Sequence, residues 1–289
     1  MAAATDPEPL VLSEVGGLVA GPPEASETLL FLHGWGGSKE LWWGTMHRLG
    51  ADCRCFALDL PGVGGTPLSP ELETMADFAR WVVGVCDRLG LSSVTLVGHS
   101  LGGNLAAQVA LDFPSRVRRL VLVDAAMDPA HFPARARWPL SPQYGMLALR
   151  LARWSVWPLA AVGRRISPLH NGGFWIPFAR RNHYYLAANT DEAMQSQLRA
   201  LMSSPQEAER LAALPIPILI VHGGRDDIIP VAQARTLAAS VPHAELSIFP
   251  TAHHCPMDAD PPAFAQTLRD FLTRSARRAT MGDAEDGLR

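Results

Sequence analysis

The sequence predicts an α/β fold: a mostly parallel central sheet flanked by helices, with a helical insertion. Two observations carry this. Short, β-branched apolar runs alternate with helix-forming stretches from about residue 28 onward, the pattern of strands that cross over through helices. That alternation stops between about 127 and 212, in a stretch rich in proline, tryptophan and arginine, and then resumes.

The elements follow in order. Residues 10–20 read as an opening hairpin turning at Gly16-Gly17, and Thr28–Leu32 as a strand running into His33-Gly34-Trp35-Gly36-Gly37. Cys53–Leu58 is a strand closed by Asp59-Leu60-Pro61-Gly62, and Met75–Leu89 a helix with Thr74 as its N-cap. Val94–Val97 is a buried strand, and the alanine-rich run after Gly102 is a helix ending near Asp112-Phe113-Pro114. Arg119–Val123, Ile216–Val221 and Glu245–Phe249 are further strands, and a last helix spans about Pro262–Arg274. Residues 10–126 and 213–275 are expected to form the core and 127–212 an inserted cap, with loose ends at 1–9 and 276–289.

Composition narrows the function classes. Of 289 residues, 48% are hydrophobic and 18% charged, as in a globular protein. The net charge of −3 gives no global case for nucleic-acid binding, and no apolar run approaches the roughly 20 residues of a membrane span. Met1–Pro9 carries Asp6 and Glu8 without a basic stretch, unlike a secretory leader, so the expected location is cytoplasmic. Cys53, Cys55, Cys86 and Cys255 have no zinc-like spacing and read as reduced thiols. The single lysine, Lys39, reads as compositional bias.

Gly98-His99-Ser100-Leu101-Gly102 joins a strand to a helix. In that setting G-x-S-x-G is a nucleophile elbow, with flanking glycines where a Cβ would collide with neighbouring backbone. A serine hydroxyl needs a base to take its proton, and the base needs an orienting acid. Base candidates are His253 and His254, just past the last strand; acid candidates are Asp226 and Asp227, just past the strand before, with Asp124 a rival after Arg119–Val123. All follow strand C-terminal ends, the edge where open α/β sheets gather their ligand sites.

Taken together, His33-Gly34-Trp35-Gly36, Gly98–Gly102, Gly223-x-x-Asp226-x-x-x-Pro230, and His254-x-Pro256 with Pro261 resemble the α/β-hydrolase fold family over residues 28–275. The resemblance implies a serine hydrolase of carboxylic esters. Ser100 would be the nucleophile, His254 the base and Asp226 the acid, and the Trp35 and Leu101 amides would form the oxyanion hole. The proline spacing favours His254 over His253, and the glycine-to-proline spacing favours Asp226 over Asp227. Asp124 stays open as an alternative acid. His33 and His99 are read as structural. No cofactor or metal is implied. The serine disfavours dehalogenase or epoxide-hydrolase chemistry, which uses aspartate there, and Cys255 weakens a carbon–carbon hydrolase reading.

In the resemblance, 127–212 is a cap that sets substrate choice. Its part from 127 to 190 holds eight arginines against one acid, a formal +7 that leaves −10 for the remaining chain. Trp154, Trp157, Phe174, Trp175 and Phe178 are candidates to line an acyl pocket; the arginines are candidates to meet an anionic surface or an acidic acyl-carrier protein. Thioester, lipid-ester (monoacylglycerol-like) and acyl-carrier methyl-ester hydrolysis are alternatives. A reading of another class is a ligand-binding, receptor-like protein on the same fold.

Overall fold

A computed structural model describes residues 5–129, 132, 147, 188–204 and 208–286. Eight strands form one sheet: β1 (Glu8–Pro9), β2 (Gly17–Ala20), β3 (Thr28–Leu32), β4 (Arg54–Leu58), β5 (Val94–His99), β6 (Val117–Val123), β7 (Ile218–Gly223) and β8 (Glu245–Phe249). Their spatial order is β1-β2-β4-β3-β5-β6-β7-β8. The β1–β2 and β2–β4 pairings are antiparallel and every other pairing is parallel. The α-helices are α1 (Trp43–Leu49), α2 (Met75–Arg88), α3 (Leu101–Asp112), α4 (Asp191–Met202), α5 (Ala208–Ala212), α6 (Val231–Ser240), α7 (Pro256–Ala259) and α8 (Pro261–Asp286).

The central strands read as unbroken apolar runs because both faces are covered. Alternate residues point to opposite sides. Leu30, Leu32, Leu96, Leu120, Leu122, Ile218 and Ile220 pack in a core that includes α2, α3 and α6 residues such as Phe78, Leu105 and Leu237. Leu29, Phe31, Val97, Val121, Val123, Leu219 and Val221 pack in a second core with Met46 and Leu49 of α1 and Phe264, Leu268 and Phe271 of α8. At about 1.5–3 kcal/mol for each fully buried large aliphatic or aromatic side chain, these two layers dominate the favourable side of folding. Their practical effect is to hold the C-terminal ends of β5, β6, β7 and β8 side by side.

Several expected boundaries move. The opening hairpin starts at Glu8 rather than at 10 and turns at Ser13-Glu14, with Glu14 at φ 56; Gly17 already lies in β2. Gly16 serves close approach instead, since a Cβ there would overlap the Asp59 carboxylate, and the Gly16 carbonyl accepts from the Asp59 N–H at 2.8 Å. β6 starts at Val117 and β7 at Ile218. α8 continues to Asp286 rather than coming loose at 276, because Ala276-Arg277-Arg278-Ala279 are helix formers and no proline interrupts them. Thr74 does cap α2: its hydroxyl accepts from the Asp77 N–H and the Asp77 carboxylate accepts from the Thr74 N–H, a reciprocal capping box. No two of the four cysteines are joined in a disulfide.

Candidate active site

Ser100 stands between β5 and α3 with φ 53 and ψ −117, a conformation a non-glycine residue adopts only when its surroundings impose it. The surroundings are backbone. A Cβ on Gly98 would overlap the Gly102 carbonyl, and one on Gly102 would come within 2.5 Å of the Leu32 and His33 carbonyl oxygens. The serine's own main chain is pinned as well: its N–H donates to Val123 O at 2.9 Å, and its carbonyl accepts from the N–H groups of Gly103, Asn104 and Ala126. Although Ser100 occupies the N-cap position of α3, its side chain makes no capping bond. The hydroxyl is therefore not spent on the helix. Leu101, first residue of α3, has no carbonyl one turn earlier in the helix to receive its N–H.

Opposite the elbow, the loops after β7 and β8 bring Asp226 and His254 together, with His254 Nδ1 2.7 Å from Asp226 Oδ2. The other carboxylate oxygen of Asp226 accepts from the Ile228 and Ile229 N–H groups at 2.8 and 2.9 Å. Burial alone would push the Asp226 carboxyl up, but the His254 bond and charge together with those two amides outweigh it and hold the group low. For His254, burial disfavours the imidazolium, yet the bond to Asp226 and its charge raise the pKa above 6.5. With Nδ1–H given to Asp226, Nε2 is the nitrogen left to accept a proton.

His99 links the two halves. It immediately precedes Ser100, its Nε2–H donates to the His254 carbonyl at 2.7 Å, and its ring centroid lies 4.8 Å from that of His254. Burial, and then the neighbouring His254 charge, push its pKa down to about 3, so it stays neutral. His33 is also buried and neutral. Its Nδ1–H donates to Gly34 O at 2.8 Å, and its Nε2 accepts from the Leu60 N–H at 3.0 Å, bracing the loop after β3 against the loop after β4. Of the alternative candidates, exposed His253 sits 3.2 Å from Asp227, outside this arrangement, whereas Asp124 lies within it, a carboxylate oxygen being within 4.8 Å of ring nitrogens of His99 and His254.

Comparison with known proteins identifies the family. A family model described as alpha/beta hydrolase fold matches residues 27–155. A putative carbamate hydrolase, RutD, of Variovorax paradoxus is 30% identical over 266 residues, covering 89% of this chain and 95% of that protein. The chain belongs to the α/β-hydrolase fold family. Other similar proteins include the pimeloyl-[acyl-carrier protein] methyl ester esterase of Nitrosomonas europaea, 29% identical over 82% of this chain and 92% of that one. A dihydrolipoyllysine-residue acetyltransferase component of the acetoin cleaving system from Cupriavidus necator is 31% identical over 79% of this chain, which spans 59% of its length. In fold, the enol-lactonase of Burkholderia xenovorans LB400 is similar with a TM-score of 0.71, at 20% identity over 92% of this chain and all of that one.

In this α/β-hydrolase the sequence reading passed over three features. His222 lies buried on β7, its Nε2 2.9 Å from Ile229 O, and it stands 3.5 Å from both Asp124 and Asp226; only its place beside the glycine-to-proline motif marked it. Lys39 is not mere composition: its Nζ meets the fully buried Asp59 at 2.8 Å, tying the loop after β3 to the end of β4. Trp35 donates its indole N–H to Met194 O of α4 at 2.8 Å. Trp154, Trp157, Phe174, Trp175, Phe178 and the eight arginines of 127–190 lie outside the described residues. Among the described residues two His/Asp groups have ligand-type atoms mutually within 4.8 Å: His99, Asp124 and His254, and Asp124, His222 and Asp226. Both are parts of the hydrogen-bonded cluster just described.

Proposed function

We propose that this α/β-hydrolase is a serine esterase that cleaves a carboxylic ester through an acyl-enzyme. The observation that carries the reading is a strained elbow serine whose hydroxyl makes no capping bond to its helix, joined through His99 to the hydrogen-bonded Asp226–His254 pair. Ser100 Oγ attacks the carbonyl carbon while its proton passes to His254 Nε2. Asp226 keeps that imidazole in the Nδ1–H tautomer and offsets the charge it gains. The Leu101 and Trp35 amides receive the tetrahedral oxyanion, a role in which removing one donor typically costs about 10²–10³ in rate. The alcohol leaves with the proton from His254, and water, deprotonated by the same base, releases the acid.

The methyl ester esterase among the relatives supports an ester substrate and, with the arginine-rich stretch of 127–190, favours an acyl group presented by an anionic carrier as a second reading. In both readings Trp154, Trp157, Phe174, Trp175 and Phe178 line the acyl pocket, the partner is a small-molecule or carrier-borne ester, and the protein works in the cytoplasm. Among the described residues no helix is long and apolar enough to cross a membrane.

Turnover of a short p-nitrophenyl ester tests the proposal. Wild type should turn over, and Ser100→Ala should lose about 10⁶-fold; absent turnover, or turnover that survives the substitution, removes the esterase reading. A chain-length series on Trp157→Ala and Trp175→Ala should shift the preferred acyl length if these rings line the pocket.

A further inference from the structure

Asp124 follows β6 directly, with φ 43 and no solvent exposure. One carboxylate oxygen accepts from the Gly223 N–H at 2.8 Å; the other is buried with no hydrogen-bond partner among the described residues. An ionised carboxylate with one oxygen in that state would be poorly compensated. Four groups face it: His99 from the end of β5, His222 from β7, Asp226 from the loop after β7, and His254 from the loop after β8. A carboxylate oxygen of Asp124 lies within 4.8 Å of ring nitrogens of His99 and His254, and likewise within 4.8 Å of a ring nitrogen of His222 and a carboxylate oxygen of Asp226. Two buried carboxyl groups thus converge on one base, and only Asp226 bonds to it directly.

We propose that Asp124 and Asp226 are a charge-sharing pair serving His254, in which Asp226 carries the single negative charge and Asp124, a positioning residue, carries it when Asp226 cannot. The inference rests on the serine-hydrolase reading above. Two carboxylates this close do not ionise together. Burial pushes the Asp124 carboxyl up to about 8, with the His254 charge pulling it down and the Asp226 charge pushing it up again. Asp226, bonded by His254 and two amides, keeps the charge. In the resting protein Asp124 therefore holds the proton and presents a dipole to the imidazole without adding a second charge. Replacing Asp226 by asparagine removes the repulsion. Asp124 then releases its proton to solvent at lower pH, and the carboxylate left behind faces His254.

A double-mutant cycle on p-nitrophenyl ester turnover tests this, with each variant's melting temperature recorded and Ser100→Ala as the blank. Asp124→Asn should cost at least tenfold less in kcat at pH 7 when made alone than when added to Asp226→Asn, where the total loss approaches the roughly 10⁴ lost when a triad has no acid. Residual activity of Asp226→Asn should rise with pH along a limb set by Asp124 ionisation in addition to the His254 limb, and only the added limb should vanish in the double variant. Equal cost of Asp124→Asn in both backgrounds, or the same pH profile for Asp226→Asn and the double variant, overturns the pair. If Asp124→Asn does not fold, Asp124→Ser, smaller at the same position, takes its place in the cycle. The His254 ring titration, followed by NMR, gives a readout without turnover: its pKa should be higher in Asp226→Asn than in the double variant, and equal values overturn the proposal. Activity that persists in Ser100→Ala removes the esterase reading instead, and leaves the NMR comparison to judge the pair.

Discussion

The two halves of the site are held by different physics. At the elbow, backbone packs on backbone: Gly98 against Gly102, Gly102 against the carbonyls of Leu32 and His33, and Ser100 fixed through its own amide and carbonyl. Across from it, Asp226, His222, Asp124 and His254 are arranged by hydrogen bonds and charge, each oxygen and ring nitrogen depending on a neighbour's protonation. Steric confinement is indifferent to pH and intolerant of added atoms. A polar network tolerates isosteric change but answers to pH. The proposed nucleophile is thus positioned by exclusion and the proposed base by bonding.

Substitution should separate the two. His254→Ala should lower kcat by about 10⁶, as loss of a triad base does, while leaving the melting temperature near that of wild type; a comparable loss of stability would mean that the polar half also holds the fold. Gly98→Ala should do the opposite, destabilising by about 4 kcal/mol or more through a backbone overlap with no flexible side chain to yield, read as a fall in the denaturation midpoint or in soluble yield. Normal folding of Gly98→Ala would break the exclusion argument.

The same contrast explains what was legible beforehand. β3 and β8 have the expected bounds, Thr28–Leu32 and Glu245–Phe249, because apolar runs between turn signals announce themselves in one dimension. The elbow was legible because its glycines and serine are contiguous. In the polar half, spacing pointed to the loops carrying Asp226 and His254, but the pairing is a contact between residues 28 apart. His222 at 3.5 Å from two carboxylates, and Lys39 against Asp59, have no sequence signature, since their meaning lies in what folding brings beside them. The hairpin turn was misplaced for a related reason: Gly16 signals a turn in sequence yet serves a close approach in space.

The gentlest probe is pH. In the proposed mechanism His254 must be neutral to accept the Ser100 proton, and its pKa is raised above 6.5, so kcat/KM should fall about tenfold per pH unit below that raised value and recover above it. His99, with a pKa near 3, adds no second acid limb in the working range. A pH–rate profile with no acid limb above pH 6 would contradict the charge balance assigned to the polar half.

The indole bond from Trp35 to Met194 has a consequence for building chimeras. Ala188, Asn189, Ser196 and Gln197 also bond to Gly64, Gly37, Leu72 and Pro61, so the stretch from 188 into α4 is fastened to the loops after β3 and β4. A graft that imports a relative's insertion should therefore rejoin the host before residue 188. Cutting at 212 would also discard the rivets that keep the Trp35 loop in place, and a failed chimera would then report a lost anchor rather than a wrong specificity.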